Sequence, residues 1–185
     1  LPIFEFGIQA LKAVWHRGAV DADGKTGDGA GIHIEIPKDF FVERIQNAGR
    51  RHDEGEICVG MIFLPKNDYV AQEKCKTIVE NELLNNNYYV YRWRQVPVNT
   101  KVLGDKAESN RPEIVQVIFK SNNKNLKDDI LERDLFVIRK KIEKQSNFLK
   151  LKDFYISSFS SRSIIYKGMF LAESLSDFYP DLIDK

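Results

Sequence analysis

Cysteine is scarce in this chain: Cys58 and Cys75 are the two among 185 residues. Both sit among apolar neighbours, in EICVGMIF and EKCKTIV. They read as buried thiols of a reducing compartment, the cytoplasm by default, and not as a disulfide framework. Histidine is nearly as rare. His16, His33 and His52 are far apart, and neither cysteine has a partner at ligand spacing, so no zinc site is legible. An excess of one charge is also lacking, because 28 basic and 27 acidic side chains leave a net charge of +1. Without a long-range field, only a local patch could draw nucleic acid or acidic lipid. No apolar run approaches the roughly 18 to 20 residues that span a bilayer. The opening LPIFEFGIQALK lacks the basic start of a secretory signal. A soluble, unexported protein with no membrane and no nucleic-acid partner is expected.

What is present is the balance of a globular domain, 43% hydrophobic and 30% charged, large enough to bury a core. One domain over 1–185, without repeat or internal boundary, is expected. Phe4, Ile8, Leu11 and Trp15 recur at helical spacing up to the His16-Arg17-Gly18 corner, where glycine ends a helix well. This pattern is already under way at Leu1, so the sequence is expected to be a piece that lacks its true start. Residues 18–31 are rich in glycine and aspartate and read as turns, leading into a strand at 32–36. A helix at 39–49 with Phe41, Ile45 and Ala48 on one face precedes an apolar strand at 57–64, closed by Pro65. A helix at 70–84 and a strand at 88–96 follow, joined by a turn at Asn85-Asn86-Asn87.

Residues 97–112 read as polar and irregular, and 114–119 as a strand. The clearest helix is 128–146, where Leu131, Leu135, Ile138 and Ile142 form one stripe. Strands at 154–159 and 163–166 flank Ser160-Ser161-Arg162, which suits a hairpin turn. The tail from Leu171 has no obvious partner element, so the domain is expected to continue past Lys185. Alternating strands and helices imply an α/β or α+β domain. In the strand Tyr88-Tyr89-Val90-Tyr91-Arg92-Trp93-Arg94, alternation places Tyr89, Tyr91 and Trp93 inward and Arg92 and Arg94 in solvent. An ordinary half-buried strand explains it better than base stacking.

Gly24-Lys25-Thr26 invites a phosphate-loop reading, and the spacing refuses it. That loop needs a glycine at position 19, where Ala19 stands, and Gly18 is one residue early. It must also join a strand to a helix, whereas here a helix precedes and a strand follows. Gly27, Gly29 and Gly31 have G-x-G-x-G spacing, which is no dinucleotide fingerprint.

As a whole, HRGAVDADGKTGDGAG at 16–31, followed by a strand and IPKDFF, closely resembles the start of the class II glutamine amidotransferase (glutaminase) domain of glutamate synthase large subunits. VGMIFLPKN at 59–67, WRQVPVNTKVLGDKA at 93–107, FYISSFSSRSIIYKGMF at 154–170 and the final FYPDL resemble that family in the same order. The resemblance implies an α+β fold, the N-terminal-nucleophile four-layer α/β/β/α sandwich, here incomplete. It implies a nucleophilic cysteine at the mature N-terminus, whose free α-amine is the base. Leu1 stands at the start here, and Cys58 and Cys75 are internal, so no catalytic residue is expected within these 185 residues. The arginine segment and Asn-Gly oxyanion hole of the family are expected beyond Lys185.

What the resemblance places in this chain is a supporting shell: Arg17, Gly18 and Asp28, with Asp21 as the rival of Asp28. Gly29-Ala30-Gly31-Ile32 leads from Asp28 directly into the strand, which favours Asp28. A helix-end cation is the plainer role for Arg17, and packing or capping for His16. The parent protein is expected to hydrolyse glutamine and transfer the ammonia to 2-oxoglutarate with reduction. FMN, an iron–sulfur cluster and NADPH or ferredoxin would belong to its other regions, with no cofactor or metal in this one. Its partners would be the remaining synthase domains of the same chain and a small reductase subunit. A non-catalytic structural or partner-binding domain with a glycine-rich surface loop is the alternative.

Overall fold

The computed structural model describes residues 2–14, 18–52, 55–126 and 128–183. Trp15, His16 and Arg17 lie outside them, as does the side chain of Phe4. The chain folds as two compact units and passes between them more than once. One comprises Leu1–His33, Val96–Arg111 and Ile165–Lys185; the other comprises Ile34–Gln95 and Pro112–Ile164.

The second unit is built on an antiparallel four-stranded sheet in the order β3-β4-β2-β5, from β2 (Ile57–Leu64), β3 (Tyr88–Gln95), β4 (Glu113–Ser121) and β5 (Tyr155–Ser160). β2 lies inside the sheet and runs in register with β4 from Ile57 opposite Lys120 to Leu64 opposite Glu113. Seven of its eight residues are buried, which is why ICVGMIFL reads as an unbroken apolar run. Helices α3 (Tyr69–Asn85) and α5 (Asp128–Phe148) cover one face. Leu131, Leu135, Ile138 and Ile142 bury the expected stripe of α5 against Cys58, Ile62, Val117 and Phe119 of the sheet. Burying each such side chain stabilises the fold by about 1.5 to 3 kcal/mol. Asp68 caps α3 by accepting from the Ala71 amide at 2.9 Å, and Asn87, at φ 65°, turns the chain into β3.

On the other sheet face, α2 (Lys38–Gln46) meets β3. Arg92 donates from Nη1 to the Arg44 carbonyl at 2.9 Å, and the Arg94 guanidinium lies 5.2 Å from the Phe40 ring centre. Phe41 and Ile45 of α2 are fully buried, but Ala48 lies beyond the helix and is exposed.

Two expectations fail in this unit for identifiable reasons. The register of β3 against β4 slips between Val90 and Arg92, a bulge at Tyr91 that reverses the side-chain alternation. Trp93 therefore joins Tyr88 and Val90 at the helix-covered core and Tyr91 is buried, both inward as expected, whereas Tyr89 is 41% exposed, Arg92 is half-buried and Arg94 is buried, donating to Gln116 Oε1 at 2.9 Å. The turn Ser160-Ser161-Arg162 is not a hairpin either. β5 pairs with β2, whereas β6 (Ser163–Gly168) pairs with β1 (Ala30–Glu35) in a separate two-stranded sheet. The turn is a corner between sheets. Glu132 holds it, accepting from Ser160 Oγ, the Ser161 amide and Ser161 Oγ.

In the first unit, α1 (Pro2–Ala13) precedes the glycine-rich loop, and the 97–112 stretch contains a 3-10 turn at Thr100–Val102 and α4 (Asp105–Asn110). The short DKAESN helix has one buried residue, Ala107, so it carried no apolar stripe to reveal it. The tail does find partners. Leu175–Phe178 forms α6, the Asn99 amide donates to the Phe178 carbonyl at 2.9 Å, and Tyr179 donates its hydroxyl to the Lys167 carbonyl at 2.8 Å. Phe170, Phe178 and Tyr179 bury their rings together, with Phe178 and Tyr179 centroids 4.7 Å apart.

Candidate functional site

The glycine-rich segment is a small hairpin. Val20 and Gly27 form an isolated antiparallel bridge, Asp28 donates its amide to the Ala19 carbonyl at 3.2 Å, and Asp21 donates to the Thr26 carbonyl at 2.9 Å. At its tip, Gly24 adopts φ 69°, a conformation that suits glycine and closes the turn. Asp23 fills the inside of that turn. Its Oδ1 accepts from the amides of Lys25 (2.9 Å) and Thr26 (2.7 Å), and its Oδ2 accepts from Thr26 Oγ1 at 2.6 Å. The amides that a phosphate loop would aim at an anion are thus already committed to a carboxylate, so the misaligned Gly-Lys-Thr spacing has a structural counterpart.

Glycines set how closely the hairpin approaches its neighbours. A Cβ on Gly27 would lie 2.7 Å from the Phe170 carbonyl oxygen. At the tip, a Cβ on Gly104 would overlap Asp23 Oδ2 at 1.9 Å and reach Thr26 Oγ1 at 2.5 Å. Thr26 is buried as a result, at 3% exposure. Sequence reasoning missed Asp23 and Gly104 as partners, although Asp-Gly-Lys-Thr carries the signature of an aspartate-closed turn.

The structure separates the two rival aspartates. Asp28 and Gly18 line a cleft of about 470 Å³, together with Leu11, Val14 and the stretch from Phe170 to Glu173. Asp21 points elsewhere and meets Lys106 Nζ at 2.7 Å. The lysine's hydrogen bond holds the Asp21 carboxyl below its ordinary value, and the same bond raises Lys106. Asp23 is also lowered, chiefly by the Thr26 hydroxyl and then by the two backbone amides. Arg17 and His16 lie outside the described residues.

Both cysteines are fully buried under the helices of the second unit. Burial pushes the Cys58 thiol far up and the Cys75 thiol up to about 11. Neither offers a thiolate at neutral pH. Among the described residues, no group of three or more His, Cys, Asp or Glu side chains could hold a metal ion. No helix among them is long and apolar enough to cross a membrane.

Against known proteins, residues 2–185 match the model of the class-II glutamine amidotransferases. The chain belongs to that family. It is 55% identical over 183 residues to the glutamate synthase [NADPH] large chain of Azospirillum brasilense, covering 99% of this chain and 12% of that protein. It is 41% identical over 180 residues to the ferredoxin-dependent glutamate synthase of Pyropia yezoensis, covering 95% of this chain and 11% of that protein. With the chloroplastic ferredoxin-dependent glutamate synthase of Spinacia oleracea it shares 37% identity over 182 residues, 97% of this chain and 11% of the relative. The chain thus spans about an eighth or less of the length of these relatives. The resemblance read from the glycine-rich segment stands, and the mixture of helices with antiparallel strands is the α+β fold expected of an N-terminal-nucleophile amidotransferase.

Proposed function

We propose that this chain is part of the glutaminase domain of a glutamate synthase. The whole protein would add water to the side-chain amide of glutamine, giving glutamate and ammonia. The ammonia would then condense with 2-oxoglutarate, and two electrons and two protons would complete a second glutamate. The observation that carries this reading is the match to class-II glutamine amidotransferases over residues 2–185. The burial of Cys58 and Cys75 supports a nucleophile outside these 185 residues, a cysteine whose own α-amine accepts its proton. The chain alone is then inactive as a glutaminase, and 1–185 is one part of a single amidotransferase domain.

In this reading the hairpin at 18–29 is a wall of the glutamine site. Arg17, Gly18 and Asp28 support the nucleophile and the pocket, and Asp21, turned toward Lys106, does not. FMN, an iron–sulfur cluster and NADPH or ferredoxin would supply the reducing chemistry from other regions of the parent chain. The remaining synthase domains and a small reductase subunit would be its partners. The two buried, unpaired thiols suit a reducing compartment, which we take to be the cytoplasm.

The test is glutamine hydrolysis by the full-length protein, followed as release of labelled amide nitrogen. Hydrolysis is expected in the wild type, and Arg17→Ala should lower it at least 100-fold. Absence of hydrolysis in the wild type would overturn the function, and wild-type turnover in the variant would overturn the role of Arg17. Hydrolysis by residues 1–185 alone would show that the nucleophile has been misplaced.

A further inference from the structure

We infer that Asp23, Thr26 and Gly104 form a clamp that positions the glutamine-site wall, so that Asp23 and Gly104 are positioning residues for glutamine binding. The inference rests on the glutaminase reading above. Asp28 lies five residues past Asp23, on the return side of the hairpin whose outgoing side carries Ala19 and Val20. What fixes the path of that return side is its tip. Asp23 closes the tip by accepting three hydrogen bonds, and its Oδ2 occupies the space that a Cβ on Gly104 would need. The φ of Gly104 is −78°, which any residue can adopt, so space and not backbone conformation demands glycine there. A methyl group at 104 would therefore have to displace the Asp23 carboxylate, the Thr26 hydroxyl or both, and with them the hydrogen bonds that close the tip. Next to the tip, Gly27 runs so close to the Phe170 backbone that a Cβ there would lie 2.7 Å from its carbonyl oxygen, so the return side has little room to shift toward that strand end. The shift passes on to Asp28 and Gly29, which line the cleft.

Lys106 stands outside the clamp. Its side chain is 66% exposed, and its ammonium pairs with Asp21 at 2.7 Å. The ion pair is screened by water and salt, and its loss should leave the tip in place.

The experiment is steady-state kinetics of the full-length protein with glutamine, and with free ammonia in its place. Gly104→Ala and Asp23→Ala should raise KM for glutamine at least tenfold while ammonia-dependent glutamate formation stays within twofold of wild type. Asp23→Asn retains an oxygen for the Lys25 and Thr26 amides and should recover most of the loss. Lys106→Ala should match wild type with both nitrogen sources. Unchanged KM for glutamine in Gly104→Ala and Asp23→Ala would overturn the clamp. Loss of ammonia-dependent activity in both variants, with no recovery in Asp23→Asn, would also overturn it, because the residues would then serve folding alone. A wild type that uses ammonia but never glutamine would instead overturn the glutaminase reading.

Discussion

Glu132 Oε1 accepts two hydrogen bonds from Ser161, one from its amide and one from its hydroxyl, each 2.7 Å long. Its other oxygen accepts from Ser160 Oγ at 2.9 Å, and both serines are buried. One carboxylate on α5 thus satisfies the corner at which the chain leaves β5. Glu132→Ala leaves three donors without their acceptor and should cost about 2 kcal/mol, whereas Glu132→Gln, which keeps one oxygen, should cost about 1 kcal/mol. Denaturant titration of both variants checks the order; equal stability of Glu132→Ala and wild type would remove the corner's dependence on this residue.

That corner also shows where sequence reading stops. Leu131, Leu135, Ile138 and Ile142 declare their helix because period and burial coincide, and 57–64 declares its strand because both faces are covered. Ser160-Ser161-Arg162 has the composition of a hairpin turn, and only the pairing of β6 with β1 makes it a corner. The bulge at Tyr91 is invisible for a similar reason, since a slipped register is a property of two strands and not of one. At the site, the wording of 16–31 was enough to name the family and to favour Asp28 over Asp21, but the ion pair of Asp21 with Lys106 and the close approach of Gly104 to Asp23 were not legible. Both partners come from a segment distant in sequence that looked irregular.

The thiols should make the protein sensitive to alkali. Cys75 is pushed up to about 11 by burial, and Cys58 is raised further by the same cause. Unfolded thiols ionise near pH 8.5, roughly. Between the unfolded and folded values the unfolded chain holds fewer protons, so stability is complete below the unfolded value and falls as pH rises through the folded one. Tyr88 and Tyr179, both raised chiefly by burial, add to the loss above about pH 10. The midpoint of urea unfolding should therefore be flat from about pH 6 to 8 and decline beyond about pH 9. Cys75→Ala should flatten the first part of that decline, and an unchanged slope would count against the buried thiol as its source.

At the acid end, the hairpin tip should open before the cores do. Asp23 is held below its ordinary carboxyl value, so its hydrogen bonds persist above the unfolded value of about 3.9 and are lost as pH falls through the folded value. Hydrogen exchange at the Lys25 and Thr26 amides, the two that Asp23 accepts, reports this directly. Their protection should fall in acid while that of β2 amides is retained. Added salt at neutral pH should leave the two amides protected, because the bonds are short and local.

Asp28 and Asp21 can be distinguished by one pair of substitutions in the full-length protein. Asp28 lines the cleft beside Gly18, while Asp21 makes an exposed ion pair with Lys106 that is worth little in water. Asp28→Asn keeps the size of the side chain and removes its charge from the cleft, so glutamine hydrolysis should fall at least 100-fold. Asp21→Asn removes the partner of Lys106 and should leave hydrolysis within about twofold of wild type, an effect of well under 1 kcal/mol on the barrier. The reverse order, with Asp21→Asn the damaging change, would show that the outer aspartate reaches the nucleophile and that the cleft beside Asp28 is not the glutamine site.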